Sequence, residues 1–137
     1  MKARHMSLLM LLIAFASGAA FAGFTQPQSV VVDLVNRSAI GDMVTARFSE
    51  NDVELIGCGV RYFDDGAGGA IFIGFCSAAD ADDNQIICFT ENAGLIEAIK
   101  AISDYSFITF GWDADNQCTA IGNSTQSFYL PNLKAKK

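Results

Sequence analysis

Two short acidic stretches hold most of the residues whose types and spacing could do chemistry. Residues 80–84 read Asp-Ala-Asp-Asp-Asn, which sets the oxygen ligands Asp80, Asp82 and Asn84 at alternate positions, with Glu91 twelfth counting from Asp80. That spacing echoes a calcium-binding loop. Two departures count against it: Gln85 stands sixth, where such a loop needs glycine for its sharp bend, and Cys88 stands ninth. The same letters describe a solvated hairpin tip, because Asp and Asn hydrogen-bond the backbone two residues on and tolerate left-handed geometry. Residues 113–117 (Asp-Ala-Asp-Asn-Gln) repeat those letters and read as a second, independent turn. The expectation is two turns and no cofactor, with Asp80, Asp82 and Asn84 as the metal alternative.

The four cysteines, Cys58, Cys76, Cys88 and Cys118, lie 18, 12 and 30 residues apart. Zinc sites want close pairs such as C-x-x-C. An even count in an exported chain reads instead as two disulfides. The one histidine is His5, inside a segment expected to be removed. Without it, Ser-His-Asp and Cys-His nucleophile systems and His-ligated metal sites fall away. A pair of carboxylates, as in glycoside hydrolysis, remains. There is no nucleophile elbow, phosphate loop or dinucleotide fingerprint, and Gly66–Gly69 is a turn rather than a phosphate cradle because no helix follows it. Tyr62, Tyr105, Phe107, Phe110, Trp112, Phe128 and Tyr129 could line a sugar- or peptide-binding face, though aromatics in strands mostly pack the core. Tyr105 and Trp112 fall on opposite faces of one strand by parity, so at least one is expected at the surface.

Residues 1–22 read as a secretory signal: Lys2 and Arg4, an apolar run over residues 7–15, then Ala20-Phe21-Ala22 as cleavage site. The mature chain is expected to be one domain, residues 23–130, with a basic tail over residues 131–137 holding Lys134, Lys136 and Lys137. Lys2 and Arg4 leave with the signal, so 7 of the 9 Lys+Arg remain against all 15 Asp+Glu, a net charge of −8. Such a surface does not suit nucleic acid or anionic lipid, which gain affinity from cations. No later stretch is long and apolar enough to span a bilayer.

The elements that must position these residues are mostly strands. Residues 29–36 are β-branched; residues 37–42 turn; residues 43–49 alternate Val44, Ala46 and Phe48 with polar residues, a half-buried strand. Residues 53–63 form the next strand. Glycine at the 64–69 reversal accepts positive φ, and a hairpin centred on Ala67 sets Cys58 opposite Cys76. A second centred on Asp82 sets Cys76 opposite Cys88. Directly opposed residues can meet the separation a disulfide needs, whereas Cys58 and Cys88 would then sit about 9–10 Å apart, two strands away. The first pairing is Cys58–Cys76 with Cys88–Cys118; Cys76–Cys88 with Cys58–Cys118 stays open. Residues 92–103 switch to helical period, with Leu95, Ile96, Ile99 and Ile102 on one face and Asn92 as N-cap. Two further strands, 105–112 and 117–124, come next, with a short edge at 127–130.

The fold class is mainly β (α+β): an antiparallel meander or small OB-like barrel, with one helix before the last hairpin. From Cys88 on, the pattern resembles a group of small exported bacterial four-cysteine β-rich proteins of unassigned function. The resemblance lies in Cys88 and Thr90 before a short helix, S-x-x-S-F-I-x-F-x-W over residues 103–112, and the Cys118-Thr119 pair. It covers residues 54–130 and implies an exported β-rich architecture and no reaction. The expected function is a secreted or periplasmic binding or interaction module, not an enzyme, whose partner is an extracellular or periplasmic protein, peptide or glycan. A protease or lysozyme inhibitor or small toxin-like effector is the alternative. A carboxylate-based hydrolase comes last.

Overall fold

The computed structural model describes residues 24–131; the expected signal segment and residues 132–137 of the tail lie outside the described residues. The second half of the molecule follows its turns. Strands β3 (Leu55–Asp64), β4 (Ala70–Ala79) and β5 (Gln85–Thr90) form an antiparallel meander in the order β3-β4-β5. Cys58 faces Cys76, and Cys76 faces Cys88 across the next rung. Strands β1 (Val31–Asp33), β2 (Ser38–Asp42), β6 (Phe107–Trp112) and β7 (Cys118–Ser124) form a second antiparallel sheet, ordered β1-β2-β6-β7. Between the described strands the two sheets share no ladder, only one isolated bridge, Phe89 to Gln117. They therefore do not close into a barrel.

Two expectations fail in the first half, for one reason. Residues 37–42, read as a turn, are strand β2, and residues 43–49, read as a strand, carry helix α1 (Met43–Arg47). Asp42 decides both. Its backbone is extended, and its side chain accepts the Thr45 N–H at 2.7 Å and the Thr45 hydroxyl at 2.6 Å. An acceptor there satisfies an amide that the first helical turn leaves unpaired. It also accepts the Gln28 N–H at 2.6 Å and is only 1 % exposed. The β-branched run before β2 is cut short in the same way: Asp33 accepts the N–H groups of Val35 and Asn36, and Arg37 takes a φ of 53°. The expected edge strand at 127–130 is a 3-10 turn, Ser127–Tyr129.

The core lies between the sheets. Alternation sends the even-numbered residues of β3–β5 inward, where Ile56, Cys76, Ala78 and Cys88 meet Ala39, Ile108 and Phe110 of the other sheet. Helix α2 (Ala93–Lys100), capped by Asn92 onto the N–H groups of Gly94 and Leu95, lays Ile96 and Ile99 against Gly74 of β4. A Cβ on Gly74 would come within 2.7 Å of Ile99 and 2.9 Å of Thr90, so the missing side chain is what lets the helix approach.

Two disulfides close the structure: Cys58–Cys76 within the meander and Cys88–Cys118 between the sheets. Their Cα atoms are 4.0 and 5.1 Å apart.

Candidate functional site

The hairpin tips resolve the acidic stretches residue by residue. At the β4–β5 tip, Oδ1 of Asp80 accepts the N–H groups of Asp82 and Asn84, and the Asn84 side-chain amide reaches both carboxylate oxygens. Its Oδ2 also accepts the N–H of Val32 in β1 at 3.2 Å. Asp83 takes the left-handed residue, φ 63°, as a three-residue hairpin loop requires. Asp82 is exposed. The Asp80 carboxylate thus takes five hydrogen bonds from four donor groups of its own chain. Burial pushes the Asp80 carboxyl up, but the Asn84 amide, then the N–H groups of Asn84, Val32 and Asp82, outweigh it and hold its pKa below 3.8. These residues build a hydrogen-bonded turn, the first of the two readings their letters allow. At the β6–β7 tip, Asp113 Oδ1 accepts the N–H groups of Asp115 and Gln117, and Asn116 has φ 57°.

The predicted aromatics separate. Trp112 is 7 % exposed and packs 5.9 Å from Phe110 in the core, so of the two candidate surface aromatics it is not the exposed one. Tyr105 is 46 % exposed. It precedes β6 instead of lying in it, at φ 64°, a costly conformation for a bulky residue. At the start of β6, Phe107 stacks on Tyr129, which meets Phe128 edge to face, all three half-buried. No single aromatic platform forms from the seven.

Tyr105 instead stands at the rim of a cleft of about 760 Å³, bounded by α1, the loop into β3 and the 104–105 turn. Ala46 and Ile56 are its buried floor. Its walls are held by their own hydrogen bonds. Ser49 donates its hydroxyl to the carbonyls of Ala46 and Asn51. Asn51 accepts the N–H groups of Val53 and Glu54 and donates to the Glu54 carboxylate at 3.2 Å. The far wall is fixed by the Met43 N–H to the Ser106 carbonyl at 3.1 Å, and by the buried Ser106 hydroxyl to the Ser103 carbonyl at 2.7 Å. Phe48, 73 % exposed, offers a second aromatic surface, and Arg47, Asp52 and Asp104 are exposed around the mouth. Such a cleft combines apolar floor, two aromatic faces and fixed polar groups, the ingredients of small-molecule or chain recognition.

Phe48 and Arg47 are hidden in the sequence because the Val44-Ala46-Phe48 alternation has the period of a strand. The available signal is Asp42 alone, an N-cap residue type immediately before the run. No described group of His, Cys, Asp or Glu could hold a metal ion, and no described helix is long and apolar enough to cross a membrane. No protein-family model matches the chain, and comparison with curated proteins and with solved structures gives no significant match.

Proposed function

We propose that the protein is a secreted or periplasmic binding or interaction module whose site is the α1 cleft, and that its partner is an extracellular or periplasmic protein, peptide or glycan. The observation that carries this reading is that Phe48 and Tyr105, both exposed, line one pre-formed cleft whose polar walls are already hydrogen-bonded. Rigid aromatic surface contributes contact area at low entropy cost, and walls that do not reorganise keep the cost of binding down. Two disulfides fit an oxidising compartment. A catalytic role draws no support from the cleft acids, since Asp52 and Asp104 are exposed and Glu54 is tied to Asn51. Titration of the protein against a panel of extracellular peptides and glycans tests the proposal. Binding should fall by about tenfold, the worth of one good aromatic contact, in each of Tyr105→Ala and Phe48→Ala. A panel without a hit, or binding indifferent to both variants, would remove it.

The inhibitor reading has an observation of its own. The β3–β4 ladder runs on to Asp64 and Ala70, four rungs past the last pairing of β5. Its tip is pinned by Asp65, which accepts the N–H groups of Ala67 and Gly69. A projecting, locked hairpin suits insertion into another protein's cleft. Inhibition of a protease or lysozyme that vanishes when residues 66–69 are replaced would favour it over the cleft.

A further inference from the structure

The odd-numbered residues of β3, β4 and β5 turn away from the core and share one outer face. On it Arg61, Phe63, Ile73, Phe75, Ile87 and Phe89 line a shallow groove of about 290 Å³. Phe63 is 50 %, Ile87 45 % and Phe89 43 % exposed. The groove has a local cause in the sequence: Gly59 lacks the Cβ that would meet the Phe75 ring at 2.8 Å, so the ring lies down over β3. The Arg61 guanidinium stands over that ring, 5.3 Å from its centroid. Among the described residues the ion pair is Lys100–Glu97, and Arg61 takes part in none. No carboxylate occupies any strand position of this face.

We propose that this groove is a second binding site, taking a small apolar anion, with a medium-chain aliphatic carboxylate as its simplest ligand. Charge and size both point there. An acidic chain has placed one unpaired guanidinium in the middle of its apolar face. A carboxylate can engage such a fork with two parallel hydrogen bonds while its hydrocarbon lies on the phenylalanine rings. The groove is near the lower end of small-ligand sites, whereas the exposed apolar patch of this face, Leu55, Phe63, Ile71, Ile87 and Phe89 at 43–50 % exposure, is roughly 500 Å² at ~200 Å² per fully exposed large side chain and falls short of the ~800 Å² per side of a stable protein interface. A second copy laid face to face would bring two guanidinium groups into one apolar space with no carboxylate between them.

The test uses the protein with both disulfides intact, observed by amide chemical shifts while decanoate is added below its micelle concentration. Decyltrimethylammonium serves as the cationic control. Decanoate should shift the amides of residues 59–63, 73–75 and 87–89 saturably. The cation should bind at least about tenfold more weakly, and Arg61→Gln should erase that preference, the difference expected for one charge-assisted contact. Arg61 is exposed, and an unchanged thermal midpoint shows that the variant is folded. Equal response to both charges, binding unchanged in Arg61→Gln, shifts confined to other residues, or self-association through this face without a decanoate response would each overturn the proposal. The groove and the α1 cleft share no lining residue, so failure at one leaves the other standing.

Discussion

The tips at residues 80–84 and 113–117 use nearly the same letters and the same local hydrogen bonds, yet they bind the two sheets together by different means. At the first, the carboxylate of Asp80 reaches out of its own turn to the N–H of Val32 in β1. At the second, Asp113 serves only its own turn, and the junction is made by the backbone and a covalent bond: the Asn116 carbonyl accepts the Phe89 N–H at 3.0 Å, and Cys118 is bonded to Cys88. Turn chemistry is local and repeats wherever its residues recur. What a turn does for the tertiary structure depends on what the chain brings near it.

The largest effect belongs to the covalent junction. Cys88 and Cys118 close a separation of 30 residues, so the double variant Cys88→Ala/Cys118→Ala should lose about 3–4 kcal/mol in urea unfolding, by the loop-closure entropy returned to the unfolded chain. A loss below 1 kcal/mol would mean that the sheets dock well enough without it. Next comes Asp80→Ala, which strips four donor groups of their acceptor and leaves the buried Val32 N–H unpaired. A loss of about 3 kcal/mol is expected, and native-state hydrogen exchange should show Val32 deprotected ahead of the core. If Val32 keeps its protection, Asp80 does not hold β1.

Acid sharpens the same contrast. The Asp80 carboxyl lies below its ordinary value of 3.8 in the folded protein, so the folded state takes up a proton less readily than the unfolded chain. Its stabilisation is complete above the unfolded pKa and is lost as pH falls through the folded one. The stability gap between wild type and Asp80→Asn should therefore be constant near neutrality and narrow only below about pH 4. A gap that instead narrows between pH 5 and 7 would mean another group controls the junction.

How much of this is legible in the sequence depends on the same distinction. The meander registers are legible, because glycine and Asp at the 64–69 and 80–84 turns fix the centres about which residues pair, and those centres set Cys76 opposite both Cys58 and Cys88. Which neighbour Cys76 bonds is not, since both lie opposite it and only the packing of β7 beside β5 brings Cys118 to Cys88. Helix α2 is legible from its period and from Asn92. Helix α1 is hidden, because five residues make little more than one turn and alternate as a strand would; its capping Asp42 reads equally well as the end of a turn. The cleft rests on α1 and is hidden with it, and parity says only that one of Tyr105 and Trp112 reaches the surface, not which one or in what setting. The outer groove depends on Gly59 opposite Phe75, a pairing that the register contains but that residue types alone do not flag.

The smallest effects should come from the tips that serve only themselves. Asp113→Ala removes two hydrogen bonds to its own turn, from Asp115 and Gln117, in a partly exposed setting where water can replace the acceptor. Its cost should be about 1 kcal/mol, in the range of a lost cap. Asp65→Ala removes the equivalent pair, from Ala67 and Gly69, at a fully solvated tip, and should cost least of the three. Gly66 and Gly68 carry positive φ there, so the glycines hold that reversal even without the carboxylate. The order Asp80, Asp113, Asp65 is thus an ordering by how far each carboxylate's influence extends beyond its own loop, measured by urea unfolding of the three single variants at pH 7. If Asp65→Ala matched Asp80→Ala, local turn closure would dominate all three sites, and the hydrogen bond to Val32 would contribute nothing of its own.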